Sequence, residues 1–200
     1  MIFENYYGEY YSLIKTVEEQ LELSIYRCLD VFNSSGKKIA KYLSSRIKSP
    51  TSIEEKLKRK GFPKGIESAI TNLNDIVGFR VVVRFTGDLY AVRDLIKKSD
   101  EFKIIEEKDY VLYPKQSGYR SYHIIIETEI EGKKIYSEIQ IRTMAMDCWA
   151  SLEHQLRYKK DIDNIELVNA EMKKCAEHLI MADATMEKTR KLVENNASCT

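Results

Sequence analysis

Two isolated carboxylates and one strongly basic block are the features of this sequence best suited to chemistry. Asp75 stands just before Gly78, where a helical pattern hands over to the alternating run Arg80-Val81-Val82-Val83-Arg84-Phe85. Glu138 belongs to a second alternating run, Lys133–Arg142, with Tyr136, Gln140 and Arg142 on its own face and Ile135, Ile139 and Ile141 on the other. A carboxylate on a strand face is costly to bury alone, so it lies at a rim, pairs with a cation or binds a metal. Two of them from separate strands beside a polyphosphate suit Mg2+, which takes few protein oxygens and completes its shell with phosphate and water. The alternative is a pair of salt bridges to Arg80 and Arg142. Residues 36–65 carry 10 Lys and Arg against 2 Glu, in a chain whose net charge is only +1. Such a block is either a solvated helix face or a phosphate-binding surface.

A second constellation is Lys115-Gln116-Ser117-Gly118-Tyr119-Arg120-Ser121-Tyr122-His123. Gly118 permits a close backbone approach, and period two puts Tyr119, Ser121 and His123 on one strand face. An aromatic flanked by Lys and Arg can stack on a base while the cations hold its phosphates; the plainer reading is a core Tyr beside a hydrogen-bonded His. Neither the P-loop nor the G-x-G-x-x-G pattern occurs. Cys148 and His154 are six apart in a helical segment and do not share a face, which disfavours a Cys-His nucleophile pair. The four cysteines lack Cys-x-x-Cys spacing, so reduced thiols are expected and a zinc site is not.

The elements that must position these residues are mostly helical at the ends and mixed in the centre. Ile14, Val17, Leu21, Ile25, Cys28 and Phe32 recur at helical spacing, predicting a helix over roughly 4–34 that Ser34-Ser35-Gly36 ends. A short helix is expected over 37–47, and another beyond Ser49-Pro50, capped by Thr51 or Ser52 with Glu54 and Glu55 in its first turn. Strands follow at Arg80–Phe85, 102–112, Tyr119–Ile130 and Lys133–Arg142, the last two joined as a hairpin at Gly132, with a helix over 87–98 between the first two. Thr143 caps a helix with the stripe Ala145, Trp149, Leu152, Leu156. A long helix over 164–195 repeats Ile165, Val168, Met172, Cys175, Leu179, Ala182, Met186 and Val193, a stripe that suits either intrachain packing or an oligomer seam. The expected fold is α/β (α+β): a mixed four- to five-stranded sheet surrounded by helices, in a single domain of 1–35, 36–160 and 161–200.

Composition agrees. A hydrophobic fraction of 44% against 32% charged supports a core and excludes wholesale disorder, while 8 Gly and 3 Pro are too few for a many-turned β fold. No apolar run approaches the roughly 20 residues of a membrane span, and MIFENYYGEY reads as no export signal. A cytoplasmic protein without a membrane partner is expected.

Taken together, the runs Ser45-Arg46-Ile47-Lys48-Ser49-Pro50, Asp75-Ile76-Val77-Gly78-Phe79-Arg80, Lys108-Asp109-Tyr110, Lys115 to His123, Glu138 to Thr143 and Trp149 to His154 resemble the synthetase domain of the RelA/SpoT family. The flanking helices resemble its stand-alone small alarmone synthetases of the RelQ type. The resemblance implies a nucleotidyltransferase-like fold and transfer of the β,γ-pyrophosphate of ATP to the 3′-hydroxyl of GDP or GTP, giving AMP and (p)ppGpp. It implies Mg2+ on Asp75 and Glu138, with Glu138 also the candidate general base. Arg46 and Arg80 would clasp adenine, where a guanidinium plane stacks as lysine cannot. Lys48, Lys56 and Arg59 would neutralise the ATP phosphates. Tyr119 would stack on guanine with Lys115 on the acceptor phosphates, and His123, Gln140 and His154 would complete the acceptor side. A homotetramer with a central cleft for a regulatory nucleotide or single-stranded RNA is implied as well. Ser117 and Tyr122 depart from the family's usual residues and are expected beside the acceptor pocket. Two alternatives stay open: a toxin-type relative that pyrophosphorylates adenine nucleotides or the tRNA 3′ end, and a nucleotide- or RNA-binding module without turnover.

Overall fold

The computed structural model describes residues 2–33, 38–157 and 164–197. The expected stop at Ser34-Ser35-Gly36 and the boundary near 160 lie outside them. The N-terminal helical stretch is two helices, α1 (Ile2–Tyr7) and α2 (Tyr10–Asn33). They part at Gly8, whose φ of +52° takes the chain through the left-handed region. The stripe on α2 is core: Ile14, Val17, Leu21 and Ile25 are buried.

The region expected to be a helix over 37–47 is instead β1 (Ala40–Ile47). Leu43 and Ile47 are four apart, a spacing that serves a helix turn or one face of a strand equally well, and pairing to a neighbour decides between them. α3 (Pro50–Lys60) follows, capped by Ser49 rather than Thr51 or Ser52: the Ser52 amide donates to Ser49 Oγ at 3.3 Å, with Pro50 at the first helical position. Its first turn holds no acidic residue.

Then come α4 (Ile66–Asn72), β2 (Val77–Val83), α5 (Thr86–Lys98), β3 (Lys103–Asp109), β4 (Tyr122–Ile130), β5 (Lys133–Thr143), α6 (Met144–Arg157) and α7 (Ile165–Ala197). The strands form one five-stranded sheet in the order β1-β2-β5-β4-β3. β2 and β5 pair in parallel and every other pair is antiparallel.

One face of this sheet is the core. Phe79, Val81, Val83, Ile124, Ile126, Ile139 and Ile141 pack there with the α2 stripe and with Leu89, Val92 and Ile96 of α5. Burying such side chains is the dominant stabilising term, about 1.5–3 kcal/mol each. The other face carries the polar residues, and the register lines them up across strands. One row reads Arg46, Gly78, Glu138, Ile125, Glu106, and the next reads Ser44, Arg80, Gln140, His123, Lys108. Residues far apart in the chain thus become neighbours. α6 packs beside this face through Trp149, and α7 packs on α6 and α5. Among the described residues no helix is long and apolar enough to cross a membrane.

Candidate active site

Three cavities open at the polar rows, and Arg46 lines all of them. The smallest, about 190 Å3, is bounded by Ser44, Ser45, Asp75, Arg80, Glu138 and Gln140. A basic one of about 560 Å3 is lined by Lys48, Lys56, Arg59 and His154. The third, about 420 Å3, lies between Arg80 on one wall and Tyr119, Gln140 and Arg142 on the other, with His154 at its edge. His154, read from sequence as an acceptor residue, is therefore shared between the basic cavity and the cavity at Tyr119.

Neither carboxylate makes the salt bridge to Arg80 or Arg142 that the bare pattern allowed. Asp75 Oδ2 receives Lys48 Nζ at 2.6 Å and Lys56 Nζ at 2.7 Å. Burial works to raise the Asp75 carboxyl, but the two ammonium groups outweigh it and hold it below its ordinary value. Glu138 receives His123 Nδ1 at 2.9 Å on Oε1 and the Gln140 amide on Oε2. Burial again opposes ionisation; His123, Gln140 and Lys56 prevail and lower it to about 2. Both groups are charged carboxylates near neutrality.

Whether these residues suit a divalent cation can be judged from their oxygens. Asp75 Oδ1 is buried without a hydrogen-bond partner, a costly state that a cation would relieve. Asp75 and Glu138 border the same small cavity, and no group of three His, Cys, Asp or Glu among the described residues forms a denser metal cage. Two carboxylates in a partly open, oxygen-only setting fit Mg2+ completed by phosphate and water, and do not fit zinc.

The acceptor-side run is a turn before it is a strand. Asp109 Oδ1 receives the amides of Val111 and Leu112, both at 2.9 Å, and ends β3. The chain returns through a turn in which the Gly118 amide donates to the Lys115 carbonyl at 2.8 Å. Gly118 has φ +92°, and a Cβ there would stand 2.7 Å from Ala176 Cβ on α7. Only glycine fits, and α7 serves as the backstop of the loop. Tyr119 therefore precedes β4, yet its hydroxyl meets His123 Nε2 at 2.7 Å and accepts from Arg142 at 2.8 Å. Lys115 Nζ lies 4.7 Å from the Tyr110 ring centre and 4.8 Å from that of Tyr119.

The two departures are not equivalent. Ser117 Oγ accepts from the Tyr119 amide at 3.4 Å and belongs to the loop that carries Tyr119. Tyr122 faces the opposite side of the sheet from His123, bonds Glu107 at 2.6 Å and lies edge-on to Tyr90. It fills packing space and does not line the cavity at Tyr119.

Sequence reasoning missed Asp147. It lies in the first turn of α6, 7% exposed, and receives Arg80 at 3.1 Å, Arg142 at 3.0 Å and the Tyr42 hydroxyl. A buried acid four residues after a capping Thr was the available signal, but such residues also serve helix starts generally.

Residues 45–163, more than half of the chain, match the family described as a region found in RelA and SpoT proteins. The chain belongs to the RelA/SpoT family. It is 38% identical over 157 residues to the GTP pyrophosphokinase YwaC of Bacillus subtilis, covering 76% of this chain and 75% of that one. The structure is similar to that of small alarmone synthetase 1 from Bacillus subtilis bound to its product pppGpp, with a TM-score of 0.82, 27% identity, and coverage of 95% and 97%. Its similarity to the same protein bound to AMPCPP has a TM-score of 0.74 at 26% identity, covering 96% and 97%. The RelA/SpoT match covers every residue that lines the three cavities except Ser44, and the loop that carries Tyr119.

Proposed function

We propose that this protein is a small alarmone synthetase that transfers the β,γ-pyrophosphate of ATP to the 3′-hydroxyl of GDP or GTP, releasing AMP and (p)ppGpp. The observation that carries the proposal is the convergence of a basic cleft, a paired-carboxylate cavity and a tyrosine-lined cavity on Arg46, within a chain similar to proteins named for this activity. Lys48, Lys56 and Arg59 hold the donor phosphates. Arg46 and Arg80 take the adenine between guanidinium planes. Tyr119 stacks on the guanine, Lys115 leaves the tyrosine rings for the acceptor phosphates, and Gln140 and His154 border the acceptor.

Asp75 and Glu138 would hold Mg2+, which would supply charge neutralisation for the phosphates. Lys48 and Lys56, which pair with Asp75 here, line the basic cavity and can reach the donor phosphates from it. His123 meets Glu138 Oε1 through Nδ1 and the Tyr119 hydroxyl through Nε2, so the Glu138 carboxylate is held in one orientation. Glu138 is the base for the 3′-hydroxyl in this reading. Its low basicity makes orientation and charge larger contributions than proton affinity.

The same reading places the protein in the cytoplasm and makes it a homotetramer with a cleft for a regulatory nucleotide or single-stranded RNA. Support for assembly comes from α7, where Leu167, Met181, Leu192 and Val193 are exposed. The α2 stripe gives none, being buried in its own chain.

Incubation of the purified protein with Mg-ATP and GDP, GTP or tRNA, with the products identified, tests the activity. Formation of (p)ppGpp and AMP is expected. Modification of tRNA with GDP and GTP untouched would establish the toxin-type alternative in its place.

A further inference from the structure

Asp147 stands at a point where the donor and acceptor walls meet. Both arginines converge on one oxygen, Arg80 at 3.1 Å and Arg142 at 3.0 Å from Oδ1, while the Tyr42 hydroxyl donates to Oδ2. Arg142 does not stop there. Its second amino group donates to the Tyr119 hydroxyl and to Gln140 Oε1, each at 2.8 Å. Tyr119 in turn meets His123, and His123 meets Glu138. A single chain of bonds therefore runs from the proposed adenine clasp, through Asp147, to the proposed guanine platform and the carboxylate beyond it.

Charge explains why an acid is needed at this point. Arg46, Arg80 and Arg142 line one cavity. Burial, then the nearby Arg142, makes the Arg80 guanidinium less basic than usual, and the Asp147 charge works against both. Without that charge, Arg80 and Arg142 repel across a partly dry cleft, and removing one partner of a buried pair leaves the others uncompensated. The carboxylate is itself well placed, in the first turn of α6 where the helix dipole favours an anion.

We propose, resting on the synthetase reading above, that Asp147 is the positioning residue of the site: it fixes Arg80 for the donor and, through Arg142, Tyr119 for the acceptor. It touches neither substrate. A carboxylate that merely clipped α6 to the sheet would have no reason to take both arginines on one oxygen, and its loss would lower stability without changing substrate affinity.

The test is Asp147→Asn, which keeps shape and removes charge, with Tyr42→Phe as the control that spares both arginine bonds. Steady-state KM for ATP and for GTP is measured well below the melting temperature of each variant. Asp147→Asn is expected to raise both KM values by about tenfold, and Tyr42→Phe to leave both within twofold. A lower melting temperature with both KM values at wild-type level would overturn the proposal, as would a rise for one substrate alone. Should Asp147→Asn not fold, Arg142→Lys keeps the charge facing Asp147 but cannot span to Tyr119; it is expected to raise KM for GTP and not for ATP, and an unchanged KM for GTP would overturn the proposal. Calorimetric binding of a non-hydrolysable ATP analogue and of GDP repeats the comparison without turnover. A wild-type protein that binds both nucleotides and transfers nothing would defeat the synthetase reading while still testing Asp147.

Discussion

Glu138 is where the proposed chemistry is most directly tested at a single side chain. Its two oxygens are committed to His123 and Gln140, so Glu138→Gln keeps the shape while reversing one hydrogen-bond preference and removing the charge. Transfer is expected to fall by roughly 10²–10⁴, chiefly from the lost charge and orientation at the reacting centre, with far-ultraviolet circular dichroism unchanged. Near-normal turnover would reduce Glu138 to a partner for His123. Arg46→Lys keeps a cation but loses the stacking plane. It is expected to raise KM for ATP severalfold and leave that for GTP within twofold; equal rises would contradict the donor assignment. Tyr119→Ala is expected to do the reverse, losing about 1–3 kcal/mol of stacking on the acceptor, as read by the ratio of the two KM values.

At the scale of elements, the acceptor loop depends on a helix from the far end of the chain. α7 meets Gly118 through Ala176 and receives the Trp149 indole N–H at its Met172 carbonyl, 2.8 Å away. Gly118→Ala would bring a Cβ to within 2.7 Å of Ala176 at a φ that disfavours any side chain. Loop or helix must shift. The expected result is a KM for GTP raised about tenfold with that for ATP nearly unchanged, because Arg46, Lys48, Lys56 and Arg59 of the proposed donor side are carried by β1, α3 and the turn between them and not by this loop. Replacing Ala176 with Leu pushes the same contact from the other side and should give the same pattern.

Across the whole molecule, one buried group adds a pH dependence to stability. Asp183 of α7 is 6% exposed; Oδ2 accepts from Thr143 at 2.6 Å, and Oδ1 has no partner. Burial pushes its carboxyl up, against the Thr143 bond and the Arg120 charge. A raised folded-state pKa means that the folded form binds the proton more tightly, so this group's contribution to stability falls as pH rises through that value. Asp183→Asn is expected to raise the urea midpoint at pH 8 by the equivalent of about 1 kcal/mol and to lose the advantage toward pH 4. A gain that persists at pH 4 would assign the effect to packing. Assembly is a matter for the same scale: light scattering is expected to return about four times the 23.3 kDa of one chain, and a mass near one chain would refute the tetramer.

Sequence alone determined the alternating run of β5, the helical stripe of α2 and the Thr143 cap, because each is a local pattern with one physical solution; it located the basic block but left two uses for it open, and it set the first strand at Arg80–Phe85 where β2 is Val77–Val83. It also singled out Asp75, Glu138 and Tyr119 as candidates, with salt bridges or core packing as the alternative for each. Only the tertiary structure decided β1, since the same spacing of Leu43 and Ile47 serves a helix until β2 offers it a hydrogen-bonded edge. It decided that Asp75 faces Lys48 and Lys56 and not an arginine, that Tyr122 turns to the core side, and that the α2 stripe is spent within its own chain. It alone revealed Asp147, whose three donors come from β1, β2 and β5. A strand's period says which face a side chain takes; which residues of other strands lie beside it depends on sheet order and register, and those are set by packing across the whole fold.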